Sequence, residues 1–124
     1  MGIHIDFNSD EAIYIQLRNQ IVLGIAKEEI HDGESLPSVR QLAEELGVNM
    51  HTVNKAYSML RQEGYLTMDR RRGAVISIEV QQRPADNLHT TMKLLVAEAI
   101  CREMKQEDLH KLISDMYQEF DSFL

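Results

Sequence analysis

The stretch LPSVRQLAEELGVNMHTVNKAYSML, Leu36 to Leu60, constrains the fold of this chain more than any other segment. Pro37 blocks helix before it, and Ser38 followed by Gln41 has the spacing of a capping box. Val39, Leu42, Ala43 and Leu46 recur at i, i+3, i+4 and i+7, one buried stripe of a helix over about Val39–Leu46. Gly47 is a left-handed stop. Asn49 then caps a further helix, with Val48 and Val53 spaced as a hydrophobic staple that fixes its entry angle. Val53, Ala56, Tyr57 and Leu60 repeat the stripe, and Gly64 ends it. Two short helices joined this tightly can share one core only by crossing steeply, which is the helix-turn-helix arrangement.

The rest of the chain builds on that unit. Ile3, Ile5 and Phe7 alternate with polar residues as a short strand would. Ser9 or Asp10 can cap a first helix, with Glu11 suited to its positive end. Its stripe is Ile13, Leu17, Ile21 and Ile25, with Tyr14 and Leu23 on the flanks, and it ends in a turn around Gly33. After Gly64, Leu66 and Met68 alternate, and so do Ala74, Ile76 and Ile78, on either side of the polar turn DRRRG. This is a hairpin with three arginines at its tip, a wing.

QQRPADN is a break, with Pro84 and Asn87. Two amphipathic helices follow. One has the stripe Met92, Leu95, Val96, Ala99 and Ile100; the other has Leu109, Leu112, Ile113, Met116, Tyr117 and Phe120. Two helices of this size cannot bury both apolar faces against each other alone. They need the domain core or a second copy of the chain.

The outer face of the third helix carries His51, Asn54, Lys55, Ser58 and Gln62. These donors and acceptors are of the kind that read base edges or hold phosphates. An α-helix fits the major groove of B-DNA and its N-terminal residues reach deepest, which places Asn49, His51 and Thr52 at the working end. Arg40 stands near the N-terminus of the preceding helix, where the DNA backbone should pass.

Net charge is −7, which argues against a simple polyanion binder. The charge is uneven, however. Ser38 to Gly73 holds six basic residues against four acids, a surplus of two, so the rest of the chain carries −9. An acidic body with a basic segment steers a polyanion to one face and repels it elsewhere.

At 124 residues the chain is one modest domain or a small domain with an appendage. No apolar run reaches bilayer-spanning length, and MGIHIDF lacks the basic start and apolar run of a signal peptide. Cys101 is the single cysteine, which excludes an internal disulfide and fits a reducing cytoplasm. It is expected to be a small buried hydrophobe.

Other chemistries find little support. His4, His31, His51, His89 and His110 never pair with each other or with Cys101 at ligand spacing, so no metal site is assigned. No Gly-rich phosphate loop or G-x-S-x-G turn is present, and neither a catalytic residue nor a cofactor is expected. Glu28–Glu29 and Glu44–Glu45 read as solvated faces, and Tyr14 as a core or interface ring.

With these elements in place, a resemblance is clear. IYIQLRNQI, GESLPSVRQLAEELGVNMHTVNKAYSMLRQEGYL and RRRGAVIS resemble the winged helix-turn-helix of GntR-type bacterial transcription regulators. The two-helix tail and the VNMHTVNKAY turn are similar to the YtrA-like subfamily. The resemblance implies a homodimeric repressor that binds double-stranded DNA at a pseudo-palindromic operator, often near a membrane-transporter operon. It implies DNA contacts by Arg40, by Asn49, His51, Thr52 and Asn54, and by the wing tip Arg70, Arg71, Arg72 and Gly73. To these the reading of the helix faces adds Ser38, Met50, Lys55 and Ser58. Many members place arginines at the turn and in the recognition helix, where this chain has Met50 and Asn54.

The expected architecture is therefore mainly α with a small β wing. A winged helix-turn-helix over residues 1–80 precedes a two-helix dimerisation tail over 85–124. Met92, Leu95, Val96, Ala99, Leu109, Leu112, Ile113, Met116, Tyr117 and Phe120 are the candidate interface. The tail has no room for an enclosed pocket of about 300 Å³ within one subunit. A small-molecule effector would bind between subunits or in the cleft beside the tail. The competing expectation is a winged helix that binds protein rather than DNA.

Overall fold

A computed structural model describes residues 2–77 and 86–121. The chain divides into two compact units, Met1–Arg83 and Pro84–Leu124. The first unit holds α1 (Ile13–Ala26), α2 (Val39–Leu46), α3 (Met50–Glu63), β1 (Leu66–Asp69) and β2 (Gly73–Ile76). The second holds α4 (Asp86–Cys101) and α5 (Gln106–Asp121).

The helix-turn-helix forms as its local signals require. The Ser38 side chain accepts the Gln41 N–H at 3.1 Å, and the Gln41 side chain accepts the Ser38 N–H at 3.2 Å, closing the capping box. Gly47 ends α2 in the left-handed region, φ 69°, where any side chain would strain the backbone. Asn49 caps α3 by accepting the His51 N–H at 2.8 Å. Gly64 terminates α3. Both expected stripes face one core. Leu42 and Ala43 of α2 join Val53, Ala56, Tyr57 and Leu60 of α3, together with Leu17 and Ile21 of α1 and Leu66, Ala74 and Ile76 of the wing. Val39, Leu46 and Val48 pack at its edge.

The wing is an antiparallel pair with Leu66 opposite Ile76, Thr67 opposite Val75, Met68 opposite Ala74 and Asp69 opposite Gly73. Opposed residues share a face, so Leu66, Ile76, Met68 and Ala74 all point to the core side. Met68 is nevertheless 52% exposed, because it sits next to the tip and overhangs the end of the core. Val75, on the other face, is buried, because β2 is the middle of three backbones. The segment before α2 pairs with its free edge: Leu36 N–H donates to Ala74 O at 2.8 Å, Ile76 N–H to Glu34 O at 3.0 Å and Gly33 N–H to Ile76 O at 2.8 Å. Ile78 and the predicted break through Pro84 lie outside the described residues, and Asn87 already belongs to α4.

Two expectations near the N-terminus are corrected. Ile3 to Phe7 form no strand. Their backbone bonds instead to two glutamine side chains of α1. His4 N–H donates to Gln20 Oε1 at 2.8 Å, Asp6 N–H to Gln16 Oε1 at 2.9 Å, and Gln16 Nε2 to Asp6 O and Glu11 O at 3.0 and 2.9 Å. Ile3 and Ile5 pack on the core while Phe7 is exposed. Neither Ser9 nor Asp10 caps α1, which begins after Ala12 with no side-chain cap. The Ser9 hydroxyl accepts the Glu11 N–H at 3.1 Å in the preceding turn, which leaves Glu11 outside the helix.

In the second unit, Glu103 takes a positive φ of 59° between the two helices, and Met104 N–H donates to Ala99 O at 2.9 Å. Ala99 is buried, and Leu109, Ile113 and Phe120 are half-buried. Met92, Leu95, Val96, Ile100, Leu112, Met116 and Tyr117 remain exposed, Ile100 and Tyr117 by 68% and 70%. Cys101 is exposed rather than buried, because two residues after buried Ala99 it falls on the opposite side of α4.

Candidate nucleic-acid interface

Beneath the outer face of α3 lies a stripe with almost no solvent exposure, Val53, Ala56, Tyr57 and Leu60. Burial of that stripe fixes the rotation of the helix, so the side chains pointing away are fixed as well. Met50, His51, Asn54, Lys55, Ser58 and Gln62 are all exposed, and Thr52 is half-buried. The N-terminus of α2 contributes exposed Ser38 and Arg40.

Several candidates carry structural work as well. The Ser38 and Asn49 oxygens are engaged as caps, which leaves the Ser38 hydroxyl proton and the Asn49 Nδ2 donors for a ligand. The Lys55 ammonium lies 4.2 Å from the centroid of the Tyr14 ring, a cation–π contact that holds it on the α1 flank of α3. Tyr14, expected as a core or interface ring, is half-buried against the core and also positions a candidate phosphate ligand.

The three wing arginines are not equivalent. Arg72 donates from Nη2 to the Gly33 carbonyl, tying the wing back to the loop before α2. Arg70 and Arg71 are exposed, and their guanidinium groups have no protein partner among the described residues. Asp69 shapes the tip by accepting the N–H groups of Arg71 and Arg72 at 2.8 and 3.1 Å through one carboxylate oxygen. Those two bonds hold its carboxyl below the usual carboxylate range. Gly73 then takes φ 75°, which turns the chain into β2.

Sequence reasoning missed three contributors. The Tyr57 hydroxyl donates to Pro37 O at 2.7 Å and so locates the start of α2 from within α3. Its position in the apolar stripe hid that role. Asp69 carried a usable signal, an aspartate two residues before backbone it could bond. Arg18 of α1 makes a two-bond pair with Glu63 at the end of α3, at 3.0 and 2.8 Å, and lies 5.6 Å from the Tyr65 ring centroid. The bonds it donates to Glu63 raise the Arg18 pKa against the opposing effect of burial. Nothing local in sequence marks that pair.

Comparison with known proteins decides the family. Residues 10–76 match the family described as bacterial regulatory proteins, gntR family. The chain belongs to the gntR family. It is 33% identical over 118 residues to the HTH-type transcriptional repressor YtrA of Bacillus subtilis, covering 92% of this chain and 91% of that one. It is 31% identical over 105 residues to the uncharacterised HTH-type transcriptional regulator YhcF of the same organism, covering 85% of each. A solved structure, YtrA from Sulfolobus acidocaldarius, a GntR-family transcription factor, is 37% identical with a TM-score of 0.67, over 80% of this chain and 97% of that one. This gntR-family chain is thus a DNA-binding transcription regulator and not an enzyme.

Proposed function

We propose that the chain acts as a homodimeric repressor, each copy laying α3 into one of two successive major grooves of a pseudo-palindromic operator. The observation that carries this reading is the exposed polar face of α3, held in fixed rotation by its buried stripe. One such helix makes few base contacts, each good bidentate pair giving about 1–3 kcal/mol of discrimination. Two copies on a two-fold axis double the reading, with half-sites about 34–36 Å apart. Ser38, Arg40, Lys55, Arg70 and Arg71 serve phosphates; Met50, His51, Asn54 and Ser58 face bases; Asn49, Thr52, Arg72 and Gly73 position them.

The tail supplies the second copy. The apolar faces of α4 and α5, with Met92, Leu95, Val96, Met116 and Tyr117 exposed, form a surface of the kind a like chain covers. Ala99, Leu109, Leu112, Ile113 and Phe120 complete the expected interface. A repressing role is supported by the similarity to the transcriptional repressor YtrA of Bacillus subtilis. The regulated operon, by resemblance, encodes a membrane transporter, and an effector would act by altering the spacing of the two α3 helices. Such a regulator works in the cytoplasm.

Fluorescence anisotropy of the full chain on duplex DNA across a salt series tests the reading. The slope of log K against log salt should lie near −0.9 per phosphate neutralised. A flat response refutes it. Light scattering should give a dimer, and Leu95→Asp with Met116→Asp a monomer of much reduced affinity; a wild-type monomer overturns the tail's role. A reporter behind the selected operator should rise when the gene is deleted.

A further inference from the structure

Met50 opens α3, the end of a recognition helix that enters the groove deepest, and it is 47% exposed. Asn54 is one helical turn further on, along the same flank. It too is exposed, and its carboxamide has no protein partner among the described residues. The charges that would read G·C pairs are missing nearby. In the first two turns of α3 the single cation is Lys55, which lies on the other flank over Tyr14, and the first carboxylate is Glu63 at the far end. Guanine is read mainly by Arg or Lys bidentate to O6 and N7, and cytosine by a carboxylate accepting from N4. What this face offers instead is a carboxamide, which pairs with adenine N6 and N7, and an apolar side chain, which fits the C5-methyl group of thymine. Ser58 serves either pair, and His51 adds at most a single contact rather than a bidentate one.

We infer that α3 reads A·T base pairs, Asn54 bonding the N6 and N7 edge of an adenine and Met50 packing on the methyl group of a neighbouring thymine. This rests on the proposed placement of α3 in the major groove. Met50 is exposed in the free protein because its apolar partner is on the DNA. Positions reached by Arg40 or the wing are read independently of α3.

Selection of the full chain against a random duplex pool in dilute salt is the first test, and A·T pairs should dominate the α3-facing positions of each half-site. Modified duplexes then probe single atoms without altering the protein. Replacing the contacted thymine by deoxyuridine removes only the methyl group and should weaken binding about fourfold per half-site. Met50→Ala should be indifferent to that replacement. Replacing the contacted adenine by 7-deazaadenine should weaken wild type about tenfold and Asn54→Ala not at all. Selected half-sites with G·C at those positions, or a wild type blind to both replacements, overturn the inference while leaving DNA binding intact. Retention of no duplex at all overturns the proposed interface and this inference with it.

Discussion

The hydroxyl of Tyr57, in the buried stripe of α3, donates to the carbonyl of Pro37 at 2.7 Å, directly before the cap of α2. The loop from Gly33 to Ser38 is thereby held on three sides. Its backbone pairs with β2, its Gly33 carbonyl accepts from Arg72, and Tyr57 holds its end. Arg40, the face of α3 and the wing tip are consequently placed by one short segment. Burial pushes the Tyr57 hydroxyl up from its ordinary pKa, which favours the neutral donor.

Tyr57→Phe removes that donor and keeps the ring. The substitution should lower stability by about 1 kcal/mol in urea unfolding, since it deletes one hydrogen bond to a half-buried carbonyl. DNA affinity should fall through the displaced start of α2, with the salt slope unchanged because no phosphate ligand is lost. An unaltered urea midpoint would show that the bond holds nothing in place.

Gly47 ends α2 at φ 69° with nothing within 4 Å of an added Cβ. Gly47→Ala therefore suffers from backbone strain alone and should lose about 1–2 kcal/mol. Gly47→Asn should lose less, because asparagine tolerates the left-handed region. Thermal melts that rank asparagine below alanine would contradict the strain argument.

What could be read from the sequence and what could not separates along sequence distance. The Ser38–Gln41 box, the Asn49 cap and the stripes of α2 and α3 depend on residues within one or two turns, and each formed as its spacing requires. Apart from the Ser9 or Asp10 cap and the burial of Cys101, which failed locally, the failures involve partners far along the chain. Ile3 to Phe7 had the alternation of a strand, but Gln16 and Gln20 supplied the hydrogen bonds a second strand would have given. Ser35 has no alternation to reveal that it bridges to Val75. DRRRG showed three arginines at a turn, yet only the fold decides that Arg72 folds back on Gly33 while Arg70 and Arg71 point to solvent. Lys55 on Tyr14 is of the same kind.

That difference among the arginines is measurable. Arg70→Ala and Arg71→Ala should each reduce the salt slope of DNA binding by about 0.9 for every phosphate contact removed. Arg72→Ala should leave the slope nearly as it was and weaken affinity by loosening the wing from Gly33. Equal slope changes for all three would mean that Arg72 exchanges its carbonyl for a phosphate on the DNA.

Asp69 gives the wing tip a pH dependence of definite sign. Its folded pKa is depressed, first by the Arg71 N–H, then by the Arg72 N–H. A carboxyl of this kind contributes order that is fully present above its unfolded pKa, near 3.9, and lost as pH falls through the lower folded value. The amide protons of Arg71 and Arg72 should therefore keep their shifts and exchange protection at neutral pH. They should lose both only below the range where a free aspartate protonates. Asp69→Asn retains an acceptor oxygen without the charge, so its tip should be weaker at neutral pH and show no transition on acidification. An amide titration midpoint at or above the free-aspartate value in the wild type would show that these N–H groups do not stabilise the carboxylate. The wing tip would then owe its shape to the turn and to Gly73 instead.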